Sequence, residues 1–138
     1  LVNMVFARTL RLALENGRKY HDHIKAMKDE LIAGLLTIDG MEINSPENSV
    51  VSTVNFSYEG IPSEVMQNAL NRAGFMVSAR STCASRSNDP SYVLVAMGYS
   101  PRRASCCIRV SLTYYNTMEE VHAFVDACRE IISKYGSI

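Results

Sequence analysis

Apolar positions recur at two different spacings along this chain, and the switches between them mark out its elements. Tyr20, Ile24, Met27, Leu31 and Leu35 fall three or four residues apart, which predicts one face of a long helix over residues 1 to 36, weakened locally at Gly17. AspGly at 39 and 40 ends that unit, and AsnSerProGluAsn at 44 to 48 reads as a loop. A spacing of two takes over from Val50 to Tyr58. Val54, Phe56 and Tyr58 share one side while Thr53, Asn55 and Ser57 share the other, the pattern of a half-buried strand. GlyIlePro at 60 to 62 turns the chain. Pro62 then opens a helix with the apolar stripe Val65, Met66, Ala69, Leu70 and Ala73, closed by Gly74.

A short strand is predicted over 75 to 78, leading into a polar run from Ala79 to Pro90 with Cys83 in its middle. Connections of that length inside a compact domain are functional or disordered, and the apolar segments on both sides argue for an ordered scaffold. Ser91 to Met97 reads as a short helix stopped at Gly98, followed by a turn beginning SerPro at 100 and 101. Residues 106 to 112 alternate again, with Ile108, Val110 and Leu112 on one face and Cys107, Arg109 and Ser111 on the other, so Arg109 aims away from the core. Thr117 and Glu120 form a capping box for a last helix that buries Val121, Phe124, Val125, Cys128, Ile131 and Ile132. Strands mixed with helices predict an α+β two-layer sandwich, a small and mostly antiparallel sheet with helices packed on one face.

Composition narrows what such a fold can do. With 138 residues, 47% of them hydrophobic and 20% charged, the chain is sized for a single domain over 1 to 138 that buries a core without staples. Lys plus Arg equals Asp plus Glu at 14 each, so no field favours nucleic acid or a membrane surface. No apolar run approaches the roughly eighteen residues of a membrane span. Cys83, Cys106, Cys107 and Cys128 show no Cys-X-X-Cys spacing, so no metal site is expected, and unpatterned thiols suit a reducing, cytoplasmic compartment. Cys106 and Cys107, adjacent in a predicted strand, point to opposite faces. His21 and His23 diverge on a helix, and His122 reads as surface. Phosphatase- and rhodanese-type loops carry an arginine five or six positions after the cysteine, where this chain has Asn88 and Asp89.

VSARSTCASRSNDPSYVLVAMG at 77 to 98, followed by IRVSL at 108 to 112, resembles the C-terminal part of the cysteine desulfurases, fold-type I pyridoxal-phosphate enzymes of the class V aminotransferase superfamily. Their corresponding pattern is SSGSAC, a short loop, PSxVLxAxG and then IRxSL. The likeness runs along essentially the whole chain: STVNFSY resembles their NxxNxSF strand, and the first helix resembles the segment linking their large domain to the small one. Arg80 stands at the glycine of SSGSAC, Thr82 at the alanine before the cysteine, and ThrTyrTyrAsnThr where the family has GRFTT.

The resemblance implies that Cys83 attacks the sulfur of a pyridoxal-bound L-cysteine, leaving L-alanine and a persulfide for iron-sulfur or thio-cofactor assembly. It also implies that Arg109 grips the substrate carboxylate. A thiol with a pKa of roughly 8.5 needs cationic neighbours or a base to become nucleophilic at neutral pH. Arg80 and Arg86, three residues either side of Cys83, are candidates, although each alone equally reads as a solvated charge. No cofactor-binding residue is expected here, because the Schiff-base lysine belongs to the family's large domain and none of Lys19, Lys25, Lys28 or Lys134 lies in a segment like its SxHK. This chain alone is accordingly expected to be inactive. Leu1, Val2, Val5 and Phe6 are expected to pack on that large domain, within a homodimer that passes sulfur to an acceptor such as an iron-sulfur scaffold. A related class V aminotransferase, a selenocysteine lyase, and a non-catalytic sulfur-transfer module remain alternatives.

Overall fold

The computed structural model describes residues 2–79 and 90–136. Helix α1 runs from Val2 to Leu36 without interruption at Gly17. Only its second half joins the core: Met27, Leu31 and Leu35 are buried, while every residue from Val2 to Lys19 is exposed. Val2, Val5 and Phe6 of the expected interface stripe stand in solvent, and Leu1 lies outside the described residues.

Three antiparallel strands follow in the order β1 (Met41–Ile43), β2 (Thr53–Tyr58) and β3 (Cys107–Ser111), with β2 in the centre. Met41 pairs with Tyr58 and Ile43 with Phe56 on one side, and Val54 with Val110 and Phe56 with Ile108 on the other. The first of these strands was not expected from the pattern, since three residues are too few to show an alternation. The second begins three residues later than the pattern suggests. Val50 sits in a turn whose carbonyl accepts from Thr53 N–H and from the Lys28 ammonium.

Helix α2 (Ser63–Arg72) starts after Pro62 and ends where Gly74 takes φ +95°, a left-handed conformation that glycine enters without steric cost. Met66 and Leu70 of its stripe are buried, and Val65 is exposed. The strand expected over 75 to 78 is reduced to a single bridge, Ser78 to Arg109. Phe75 is drawn elsewhere. Its N–H closes α2 onto the Leu70 carbonyl and its ring stands edge-on to Phe124 at 5.3 Å.

Helix α3 (Tyr92–Ala96) ends at Gly98 as the sequence suggests. The expected SerPro turn is instead a helix, α4 (Pro101–Ser105), because the Ser100 hydroxyl accepts from Arg103 N–H and Pro101 occupies the first turn, where its missing N–H costs nothing. Cys106 caps that helix and is not part of a strand, and both Cys106 and Cys107 are buried.

Helix α5 (Met118–Tyr135) carries the capping box between Thr117 and Glu120. It crosses α1 closely enough that a Cβ at Gly34 would stand 2.8 Å from Val125 Cγ2. The core lies between the sheet and α1, α2 and α5, around the wholly buried Phe56, Leu31, Leu70 and Ile108. The α+β sandwich stands, with α3 and α4 added at one end of the opposite face, where Leu94, Ala104 and Cys107 form a small second cluster.

Thr117→Ala should lower the unfolding free energy by about 1 kcal/mol in urea titration. The Asn116 amide, and then the Thr117 N–H, hold the Glu120 carboxyl below the usual carboxylate range. A depressed folded-state value means that its contribution is complete at neutral pH and is lost as pH falls through that value. The difference in Tm between the native chain and Glu120→Gln should therefore shrink as pH drops below about 4.

Candidate functional site

The polar face of the sheet places one expected site residue. Arg109 lies in the middle of β3 and is exposed, on the side away from the core. Its backbone N–H donates to the Ser78 carbonyl at 2.7 Å, and its carbonyl accepts from Ser78 N–H at 3.1 Å. Among the described residues its guanidinium has neither a hydrogen-bond nor an ion-pair partner. The chain runs on from the Ser78 bridge to Ala79, whose carbonyl lies 3.4 Å from Cys107 Sγ. Ala79 therefore holds the near end of the segment that contains Cys83 beside Arg109. At the far end, Ser91 N–H donates to the Ala104 carbonyl at 3.3 Å. Cys83, Arg80 and Arg86 themselves lie outside the described residues.

The remaining cysteines are poorly suited to nucleophilic work. Burial alone pushes the Cys128 thiol up to about 12, inside the core against α1 and the sheet. Burial first, and then the Glu59 carboxylate, raise the Cys106 thiol. Cys107 is buried in the small cluster under α3 and α4.

Beside Arg109 lies a polar network that the sequence did not single out. Arg103, on α4, donates through Nε to Asn44 Oδ1 at 2.7 Å, through one terminal nitrogen to Glu42 at 3.1 Å, and through the other to the Ile43 carbonyl at 3.0 Å. Its guanidinium also lies 4.1 Å from the centre of the Tyr99 ring. Asn44, 2% exposed, passes its own amide hydrogens to Asn55 Oδ1 at 2.8 Å and Ser57 Oγ at 2.7 Å, and the Ser57 hydroxyl donates to the Arg103 carbonyl at 2.9 Å. Ser57, on the side expected to face water, is completely buried for this reason. A sequence signal existed in the asparagine of the STVNFSY strand, but nothing in the sequence pointed to Arg103.

Pyridoxal phosphate needs a lysine amine free to form a Schiff base and a carboxylate for its ring nitrogen. The described lysines do not fit that demand. Lys28 is buried, with its ammonium held by Ser49 Oγ at 2.9 Å and the Val50 carbonyl at 3.0 Å, and Lys25 pairs with Asp29 at 2.9 Å. Lys19 and Lys134 are exposed beside the Tyr20 and Tyr135 rings. Among the described residues no group of histidines, cysteines and acids is arranged to hold a metal ion, and no helix is long and apolar enough to cross a membrane. His23 reaches the Asn116 carbonyl at 3.1 Å and His122 pairs with Glu30 at 3.0 Å, both on the surface.

The family model for class-V aminotransferases matches residues 4–124. Among curated proteins, the chain is 33% identical over 129 residues to a cysteine desulfurase of Sinorhizobium fredii, covering 92% of this chain and 33% of that protein. It is 29% identical over 135 residues to the cysteine desulfurase NifS of Azotobacter vinelandii, covering 94% and 34%. Among solved structures, a NifS-like protein superposes with TM-score 0.79 at 33% identity, covering 93% of this chain and 32% of the other. A NifS-like protein from Rickettsia africae superposes with TM-score 0.75 over 88% of this chain and 31% of the other; at 23% identity it shows the fold alone. The chain spans about a third of the length of the curated relatives it matches.

Arg103→Ala should destabilise the chain by about 3 kcal/mol in urea titration, because it strands the buried Asn44 oxygen and the Ile43 carbonyl. Glu42→Gln, which removes only the charge of the half-exposed partner and keeps an accepting oxygen, should cost under about 1 kcal/mol. Equal costs would show that the ion pair, and not the hydrogen bonds to Asn44 and Ile43, is what Arg103 contributes.

Proposed function

The chain belongs to the class-V aminotransferase family, and we propose that it is the small domain of a pyridoxal-phosphate-dependent cysteine desulfurase, supplying Cys83 as sulfur acceptor and Arg109 as the grip on L-cysteine. Arg109 carries this reading. Its guanidinium lies on the sheet's polar face with no hydrogen-bond or ion-pair partner among the described residues, and the segment that leads to Cys83 follows Ser78, its backbone bridge partner. A planar guanidinium binds a carboxylate through two parallel hydrogen bonds, fixing orientation as well as charge. From Ser78 to Cys83 is five residues, a reach of at most about 18 Å, so chain length permits the thiol to approach a substrate held at Arg109. The buried state of Cys106, Cys107 and Cys128 leaves the acceptor role to Cys83. The names of the relatives from Sinorhizobium fredii and Azotobacter vinelandii support reading the activity as that of a cysteine desulfurase.

In the proposed reaction the Cβ–S bond of L-cysteine breaks and an S–S bond forms to Cys83 Sγ. The Cβ carbon takes up a proton, so the products are L-alanine and a Cys83 persulfide. When bound, the cofactor supplies the electron sink this cleavage requires, from residues outside this chain. Arg109 orients the substrate through its carboxylate, and Arg80 and Arg86 are assigned to raising the thiolate fraction of Cys83. The persulfide then passes to an acceptor protein such as an iron-sulfur scaffold.

In the full-length protein with pyridoxal phosphate, L-cysteine and an added dithiol that reduces the persulfide and releases its outer sulfur, sulfide and alanine should form in equal amounts. Cys83→Ser should abolish turnover while keeping the cofactor's absorbance. Sulfide production undiminished in that variant would remove Cys83 from the mechanism. Arg109→Lys should raise KM for L-cysteine about tenfold through loss of the two-pronged contact.

A further inference from the structure

Building on the reading of Arg109 as the carboxylate grip, we propose that Asn55 donates a further hydrogen bond to the same substrate carboxylate, its amide turned toward Arg109 by a one-way relay that begins at Arg103. The backbone puts the two side chains together. Both polar backbone groups of Arg109 are taken by Ser78, so toward β2 it forms the pair with Asn55 that exchanges no backbone hydrogen bonds. Asn55 is turned away in the same manner: its N–H donates to Ser45 Oγ at 2.7 Å and its carbonyl accepts from Asn44 N–H at 2.8 Å. Pairs of this kind bring Cα atoms to about 4.5 Å and set the two side chains closest on their shared face.

The direction of the amide follows from donor and acceptor chemistry. A guanidinium has no acceptor, so the Asn44 atom facing Arg103 Nε at 2.7 Å is its oxygen. That places the Asn44 NH2 toward β2, where it donates to Asn55 Oδ1 and Ser57 Oγ. Ser57 sends its own proton to the Arg103 carbonyl and closes the ring. With Oδ1 of Asn55 held on the β1 side, its NH2 lies on the β3 side, where Arg109 stands; the reverse orientation would set two N–H groups against each other. Among the described residues no acceptor engages the Asn55 NH2 or the Arg109 guanidinium. Two sets of donors side by side match the oxygens of one carboxylate. Asn55 is thus a binding residue, and Asn44 and Arg103 are positioning residues that act through it.

Steady-state kinetics of the full-length protein with L-cysteine test this. Asn55→Ala should raise KM about tenfold with kcat held within about twofold, the mark of binding lost equally before and during reaction. Asn55→Asp keeps the oxygen that Asn44 needs, so it folds even where the alanine variant does not, and it should raise KM further by occupying Arg109 with a fixed carboxylate. Asn44→Ala should raise KM about threefold alone and not at all in the Asn55→Ala background, since it acts only through that amide. An unchanged KM in both Asn55 variants, with KM raised in Arg109→Lys, would overturn the role of Asn55 and leave that of Arg109. An unchanged KM in Arg109→Lys as well would overturn the reading beneath it.

Discussion

A guanidinium donates and never accepts, and at Arg103 that asymmetry organises the whole polar face of the sheet. The three hydrogen bonds of its side chain reach Glu42, Ile43 and Asn44, about 60 residues earlier in the chain, and so tie α4 to β1 across the central strand. Each acceptor satisfied there decides the orientation of the next group, from Asn44 to Asn55 and Ser57. Buried polar groups are tolerated only when their partners are complete, and among the described residues no buried side-chain nitrogen or oxygen lacks one. The cluster therefore leaves none of its buried side-chain polar atoms without a partner.

The sheet divides its two tasks by face. One side meets α1, α2 and α5 and is filled by Val54, Phe56, Ile108 and Val110. The other side carries amide, hydroxyl and guanidinium groups at the same level of neighbouring strands: Asn44 next to β1, Asn55 on β2, Arg109 on β3 and Ser78 beyond it. Because successive side chains of a strand point to opposite faces, the packing that buries Phe56 and Ile108 also presents Asn55 and Arg109. Thiols follow the same division. The core takes Cys128, where burial keeps it protonated, and the small cluster under α3 and α4 takes Cys107.

Helix α1 belongs only partly to this arrangement. Its stretch from Met27 to Leu35 packs against α5 and the sheet, held at Gly34 by the close approach of Val125. The stretch before Tyr20 repeats apolar residues at intervals of four, Val2, Phe6, Leu10 and Leu14, all exposed. Helical periodicity thus continues through the element while its burial does not. The chain covers about a third of its curated relatives, and this stripe is one of the places where large apolar side chains stand exposed.

The sequence by itself determined the elements whose cause is local: the long first helix with its stripe, the alternating strands, the stops at Gly74 and Gly98, and the capping box of Thr117 and Glu120. It also placed Arg109 on the face away from the core, because a period of two is enough to say which side a residue takes. Its motif supplied the resemblance to cysteine desulfurases, with Cys83 at the centre. Tertiary structure decided what depends on partners distant in the chain. It made the strand expected at 75 to 78 a single bridge, because Phe75 is drawn to Phe124. It turned an expected SerPro turn into α4 and so put Arg103 over Asn44, and it buried Ser57 and Lys28 by giving each hydrogen bonds to satisfy it. A hydrophobic pattern records which side of an element is dry. Which polar groups meet on the wet side is set by contacts across some 60 residues of chain, and no local pattern encodes them.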